Sequence, residues 1–255
     1  MKTYKSLFPV AVAALSSVAC TPTGTPEAET FSYDQTRITT ATPWTDGALQ
    51  NDPFEFQFVI IGDRTGGANA EGTFQLAIGQ LNLLQPEFVI NVGDLIEGYS
   101  DDAAELNAEW DELDRMMAPL EMPFFRTPGN HDIANEVAAD VWRERHGATY
   151  YHFVYKDVLF VVLNSEDTPR PAPEGIKESL EPYHRLQTAH PERAQAMLAE
   201  FMADSSVVAG LSEPVDFSDE QVAWVGSVLE ENPEVRWTFL FLHEPAWENP
   251  APSFT

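Results

Sequence analysis

Four apolar runs punctuate the chain: Phe58–Ile61, Phe88–Val92, Phe124–Phe125 and Trp237–Leu242, and each opens into a segment containing Asp, Asn or His. Their β-branched and aromatic composition reads as buried strands of a mostly parallel sheet. Between the runs the period lengthens. Phe74, Ile78, Leu81 and Leu84 recur at helical spacing, and Pro86 stops that helix before the next strand. Asp101 and Asp102 favour a second helix start, after which Leu106, Trp110, Leu113, Met117 and Leu120 make one apolar face. A third helix is expected from about Asn135 to Arg145. Strand, helix, strand, helix, strand predicts a parallel βαβαβ sheet with right-handed crossovers, with the folded part beginning near Phe54.

The pattern then changes. Tyr150–Tyr155 and Val158–Leu163, joined by Lys156-Asp157, read as an antiparallel hairpin, which implies a second sheet packed on the first. Residues 164–216 are polar and Pro-rich, with a helical stretch around Glu192–Ala203, and form an insertion within one domain spanning 54–255. Ser218 and Gln221 form a capping box, and Phe217 is placed to staple onto Val222. That helix should end at Asn232-Pro233, before a strand over Arg236–Leu242. The fold class is therefore α/β with two sheets.

Composition narrows the partners. Hydrophobic residues make up 44% of 255, enough for a buried core. The formal net charge of −27 argues against nucleic acid or an anionic membrane held by bulk charge. It also repels phosphorylated molecules at long range, so phosphate chemistry would need local cations. At the N-terminus, Lys2 and Lys5 precede an apolar stretch over Leu7–Ala19 too short to span a bilayer. That stretch closes on Ser17-Val18-Ala19-Cys20, which holds the single cysteine and resembles a bacterial lipoprotein signal. Residues 1–20 are read as that signal and 21–53 as a flexible tether, giving an exported protein, lipid-anchored in the cell envelope or secreted. A lipid at Cys20 would be the only membrane contact.

In open α/β sheets, ligands bind beyond the carboxyl ends of the strands. Two Asp, one Asn and two His should accordingly gather along one edge of one sheet, an arrangement suited to two divalent metals. Taken singly, each has an ordinary reading: Asp63 and Asp94 as turn or cap residues, Gly129-Asn130 as a turn, His131 and His243 as hydrogen-bonded strand-end histidines. As an ordered set, Gly62-Asp63, Gly93-Asp94, Gly129-Asn130-His131-Asp132 and His243 resemble the calcineurin-like metallophosphoesterase family over Phe56–Glu244.

That resemblance implies an αββα sandwich of mixed sheets and two divalent ions drawn from Mn, Fe, Zn or Ni. Asp63 would bind the first ion, Asp94 bridge both, and Asn130 and His243 bind the second. A metal-activated hydroxide would hydrolyse phosphomonoesters or phosphodiesters. His131 would protonate the leaving oxygen, oriented by Glu97, and Asn130 would also face substrate. Arg64, a cation beside a metal-binding Asp, is a candidate contact for substrate phosphate.

Two departures qualify the match. The family opens with Asp-x-His, whereas this chain has Asp63-Arg64-Thr65, so a neutral hydroxyl stands where an imidazole is expected. The family closes with Gly-His-x-His, and no further His follows His243 before Thr255. The expectation is a sandwich lacking its C-terminal strands, in a chain that is a fragment of a longer enzyme. The competing reading is a non-catalytic surface lipoprotein that keeps the scaffold as a binding module.

Overall fold

The runs at Phe58, Phe88 and Phe124 pair side by side, as their apolar character requires. The computed structural model of the protein describes residues 31–49, 55–65, 72–167, 190–201 and 217–245, with positions 183, 186, 203 and 215. Strands β2 (Phe58–Ile61), β3 (Phe88–Asn91) and β4 (Phe124–Phe125) form a parallel sheet in the order β2-β3-β4. Helix α1 (Thr73–Leu84) joins the first pair and α2 (Ala103–Met117) the second. In α2 the predicted face is buried at Leu106, Trp110, Leu113 and Met117, and Asp102 caps it by accepting from Ala104 N. In α1 the burial falls on Ile78 and Leu81, while Leu84 is exposed. Gln85 ends that helix in the left-handed region, one residue before Pro86.

Helix α3 (Glu136–His146) starts at the Asn135 cap, whose side chain accepts from Ala138 N. Strands β5 (Tyr151–Tyr155) and β6 (Val158–Val162) form the expected hairpin, with Lys156 and Asp157 both at positive φ as a two-residue turn requires. They belong to a mixed second sheet of order β1-β5-β6-β7. Strand β7 (Trp237–Phe241) runs parallel to β6, and helix α5 (Asp219–Glu231) packs on that sheet's outer face through Trp224, Val225 and Val228. Helix α4 (Pro191–Phe201) occupies part of the expected insertion, whose residues 168–182 and 204–214 lie outside the described residues.

The layers are helices α1–α3, the parallel sheet, the mixed sheet and helix α5, an αββα sandwich. Its middle is mostly aromatic. Phe125 stacks on Phe153 at 4.2 Å and Phe153 on Phe160 at 4.8 Å, with Phe88 edge-on to all three. Flat rings of this size fill the space between two sheets and fix their separation.

Three expectations change. Residues 31–49, assigned to a tether, are structured: β1 (Phe31–Tyr33) pairs antiparallel with β5, and Trp44 bridges Phe125. Apolar burial explains it, since Phe31, Tyr33, Ile38 and Trp44 all join the intersheet core. The signal and the start of the tether, residues 1–30, lie outside the described residues. The strand leading to His243 joins the second sheet rather than the first. Finally, the capping box is half formed. Ser218 Oγ accepts from Gln221 N, but the Gln221 side chain, buried, clamps both main-chain groups of Asn164 at the end of β6. Phe217 packs into the α5 cluster while Val222 is exposed, so no staple forms.

Candidate metal centre

Every strand that carries a candidate donor ends at the same rim of the sandwich. Asp63 follows β2, Asp94 follows β3, Asn130 and His131 follow β4, and His243 follows β7. Donors thus converge from both sheets, not from one edge of one sheet. Ligand atoms of Asp63, Asp94 and His243 all lie within 4.8 Å of one another. Asn130 joins them, its Oδ1 2.8 Å from His243 Nε2.

Backbone geometry makes this approach possible. Gly93 has φ 103°, and a Cβ there would meet His243 Nδ1 at 2.6 Å. Asp94 itself lies at φ 57°, a costly conformation for a residue with a side chain. Three bonds to its carbonyl hold it there, from Arg64 N at 2.9 Å, Thr65 N at 3.3 Å and Thr65 Oγ1 at 3.2 Å. The Thr65 hydroxyl, in the place of the expected imidazole, is therefore engaged in bracing the Asp94 loop. Beyond the end of the β3–β4 ladder, Asn91 and Thr127 continue the pairing through the Asn91 amide, which accepts from Thr127 N at 2.7 Å.

The Asp94 carboxylate is nearly buried. One oxygen accepts from His131 N at 3.1 Å, and the other lies 3.4 Å from His243 Nε2 and 3.8 Å from His131 Nε2. Burial pushes its pKa up to about 6, with His243 and the His131 amide pulling the other way. On His243, burial alone would lower the pKa, but Asp94, the Val92 carbonyl and Asp63 outweigh it and the net shift is upward.

These contacts test whether the residues suit a metal. His243 Nδ1 sits 2.8 Å from the Val92 carbonyl, so Nδ1 carries a proton and Nε2 points its lone pair inward. There it faces two further acceptors, Asn130 Oδ1 and Asp94 Oδ2. Three acceptors meeting at one point need a positive charge between them, either a proton on Nε2 or a cation. Oxygen and imidazole donors of this kind suit Mn, Fe, Zn or Ni, and the residues fit.

His131 is held separately. Its Nδ1 is 2.7 Å from the main-chain carbonyl of Glu97, which leaves Nε2 on the Asp94 side. The orienting group is thus the backbone of residue 97, while the Glu97 side chain is exposed. The Arg64 guanidinium donates to the Leu95 carbonyl at 2.7 Å, lies 4.0 Å from Glu112 and packs over Phe74. Those contacts brace the β3 loop.

Two residues that sequence reasoning passed over complete the centre. Asp132 is fully buried and accepts from Leu95 N, Ile96 N and Gly129 N at 2.8, 3.2 and 2.9 Å, tying the β3 and β4 loops together. Burial and the neighbouring Asp94 raise its pKa to about 7 against those three amides. Tyr99 receives a hydrogen bond from the Asn130 amide nitrogen and sets its ring edge-on to His131. The only signal for Asp132 was its place after Asn130-His131, and for Tyr99 its place after Gly98.

No curated protein matches the chain. Among solved structures, a dimetal phosphatase from Danio rerio is similar at 16% identity with a TM-score of 0.46, covering 76% of this chain and 71% of its own. The family model for calcineurin-like phosphoesterases matches residues 56–254. That span takes in both sheets' central strands and every loop from Asp63 to His243, and the chain belongs to the calcineurin-like phosphoesterase family.

Proposed function

We propose that the protein hydrolyses phosphomonoesters or phosphodiesters at a centre of two divalent metal ions. The observation that carries this is the convergence of Asp63, Asp94, Asn130 and His243 around one point, with His131 Nε2 beside them. Bound divalent ions would supply Lewis acidity toward phosphoryl oxygens and lower the pKa of a water. Asp63 would hold the first ion, Asp94 both, and Asn130 and His243 the second. Asn130 would also meet substrate. His131, its Nδ1 held by the Glu97 carbonyl and its Nε2 on the Asp94 side, would deliver a proton to a leaving oxygen.

The test is His131→Ala, assayed on p-nitrophenyl phosphate and its bis-ester with Mn, Fe, Zn or Ni supplied in turn. Turnover should fall by roughly 10²–10⁴ while metal occupancy is unchanged. Absence of hydrolysis by the wild-type chain with all four metals rejects the proposal.

One observation favours a second reading, a binding module without turnover. Thr65 donates its hydroxyl to the Asp94 carbonyl and stands where an imidazole is expected, so the first metal would have at most a weak neutral ligand there. Under this reading the metal binds and His131→Ala changes nothing measurable. The proposed address, a cell-envelope lipoprotein or secreted protein, rests on Leu7–Ala19 and Cys20, and mass spectrometry of the N-terminal peptide checks it.

A further inference from the structure

We infer that Tyr99 is a positioning residue for the metal centre, presenting the Asn130 amide oxygen to the cation and fixing the ring of His131. A carboxamide has two ends of nearly equal size, and only the oxygen end binds a metal. Tyr99 Oη accepts from Asn130 Nδ2, and Asn130 Oδ1 then faces His243 Nε2 at 2.8 Å. The same ring meets the His131 imidazole edge-on, with centroids 4.6 Å apart. One side chain therefore touches a proposed metal ligand and the proposed proton donor.

The backbone holds Tyr99 to this duty against its own preference. Gly98 and Tyr99 lie in succession at φ 62° and 53°, a left-handed pair that a bulky residue seldom enters. A Cβ at residue 98 would stand 1.8 Å from the His131 carbonyl, so the turn presses directly on the β4 loop. Neighbouring bonds pin it on both sides. Gly98 N donates to Glu109 at 2.8 Å, Ser100 Oγ to Glu105, and Asn135 Nδ2 to the Ser100 carbonyl at 3.1 Å. A conformation that is unfavourable locally but secured from two separate elements, α2 and the N-cap of α3, is what an orienting device requires.

The inference rests on the metal reading of the same centre, and the experiment separates the two. Co²⁺ is titrated into the whole metal-free chain, following visible absorbance, for wild type, Tyr99→Phe, Asn130→Ala and the double variant. Tyr99→Phe keeps the ring and removes only the hydroxyl. It should weaken Co²⁺ binding roughly 10–100-fold and alter the ligand-field band, with the melting temperature of the metal-free chain unchanged. In the Asn130→Ala background the same substitution should cost nothing, because no amide is left to orient. Wild-type affinity in Tyr99→Phe, or an equal loss in both backgrounds, overturns the inference alone. Failure of the wild-type chain to bind Co²⁺ overturns the metal reading and the inference with it.

Discussion

At the scale of single residues, two buried groups make predictions of opposite kind. Among the described residues, Asp132 is the one acceptor of the main-chain amides of Leu95 and Ile96, and it also takes Gly129 N. A buried amide left without an acceptor costs about 1–3 kcal/mol. Asp132→Ala, which orphans three amides at once, should destabilise the chain by at least about 2–3 kcal/mol in urea denaturation. His146 acts through its proton. Burial, helped by the charges of Arg126 and Arg145, holds its pKa down at about 2, between the rings of Trp110 and Trp142. In the unfolded chain the same imidazole titrates near ~6.5. Between those values the unfolded state binds the extra proton, so the stabilisation is complete above pH ~6.5 and drains away as pH falls, at up to about 1.4 kcal/mol per pH unit. Urea midpoints between pH 4.5 and 7.5 should show a shallower slope in His146→Phe than in wild type.

At the scale of elements, the rim works because the ends of β3 and β7 touch although they belong to different sheets. Gly93→Ala tests that contact. The added methyl would meet His243 Nδ1 at 2.6 Å, at a φ of 103° that alanine resists. The variant should lose most metal affinity by Co²⁺ titration, because His243 must move away from both Val92 O and Asn130. The same scale shows what the sequence could and could not tell. Leu106, Trp110, Leu113 and Met117 announced α2 by spacing alone, and Asp102 announced its start, since helices are written in local periodicity. Pairing is not local. Nothing in Trp237–Phe241 distinguishes a neighbour of β6 from a neighbour of β2, and its exposed Trp237 and Leu240 read as core until the edge position is known. Strand β1 has three residues, too few to show alternation. The donors were legible because each follows an apolar run. Tyr99 and Asp132 were not, because orientation of one side chain by another leaves no periodic trace.

At the scale of the whole molecule, the charge of −27 and the metal centre should be separable in a melting experiment. Excess negative charge destabilises a compact chain by self-repulsion, and salt relieves it as the screening length shortens from about 30 Å at 0.01 M to about 8 Å at 0.15 M. Sodium chloride should therefore raise the melting temperature gradually, without saturation at a fixed stoichiometry. A divalent ion bound by Asp63, Asp94, Asn130 and His243 acts by mass action instead. At a hundred times its dissociation constant it contributes about 2.7 kcal/mol, or about 5–10 °C for a domain of this size, and saturates. Because Asp94 and His243 both hold protons more tightly in the metal-free fold, that gain should shrink as pH falls from 7.5 toward 6, where ions compete with protons for the same lone pairs. Asp94→Asn discriminates between the two effects. It should abolish the saturable rise with Mn²⁺ in 0.15 M salt and its reversal by chelator, while the rise with sodium chloride persists. A Mn²⁺ response that survives Asp94→Asn would mean that the ion screens the acidic surface instead of entering the centre.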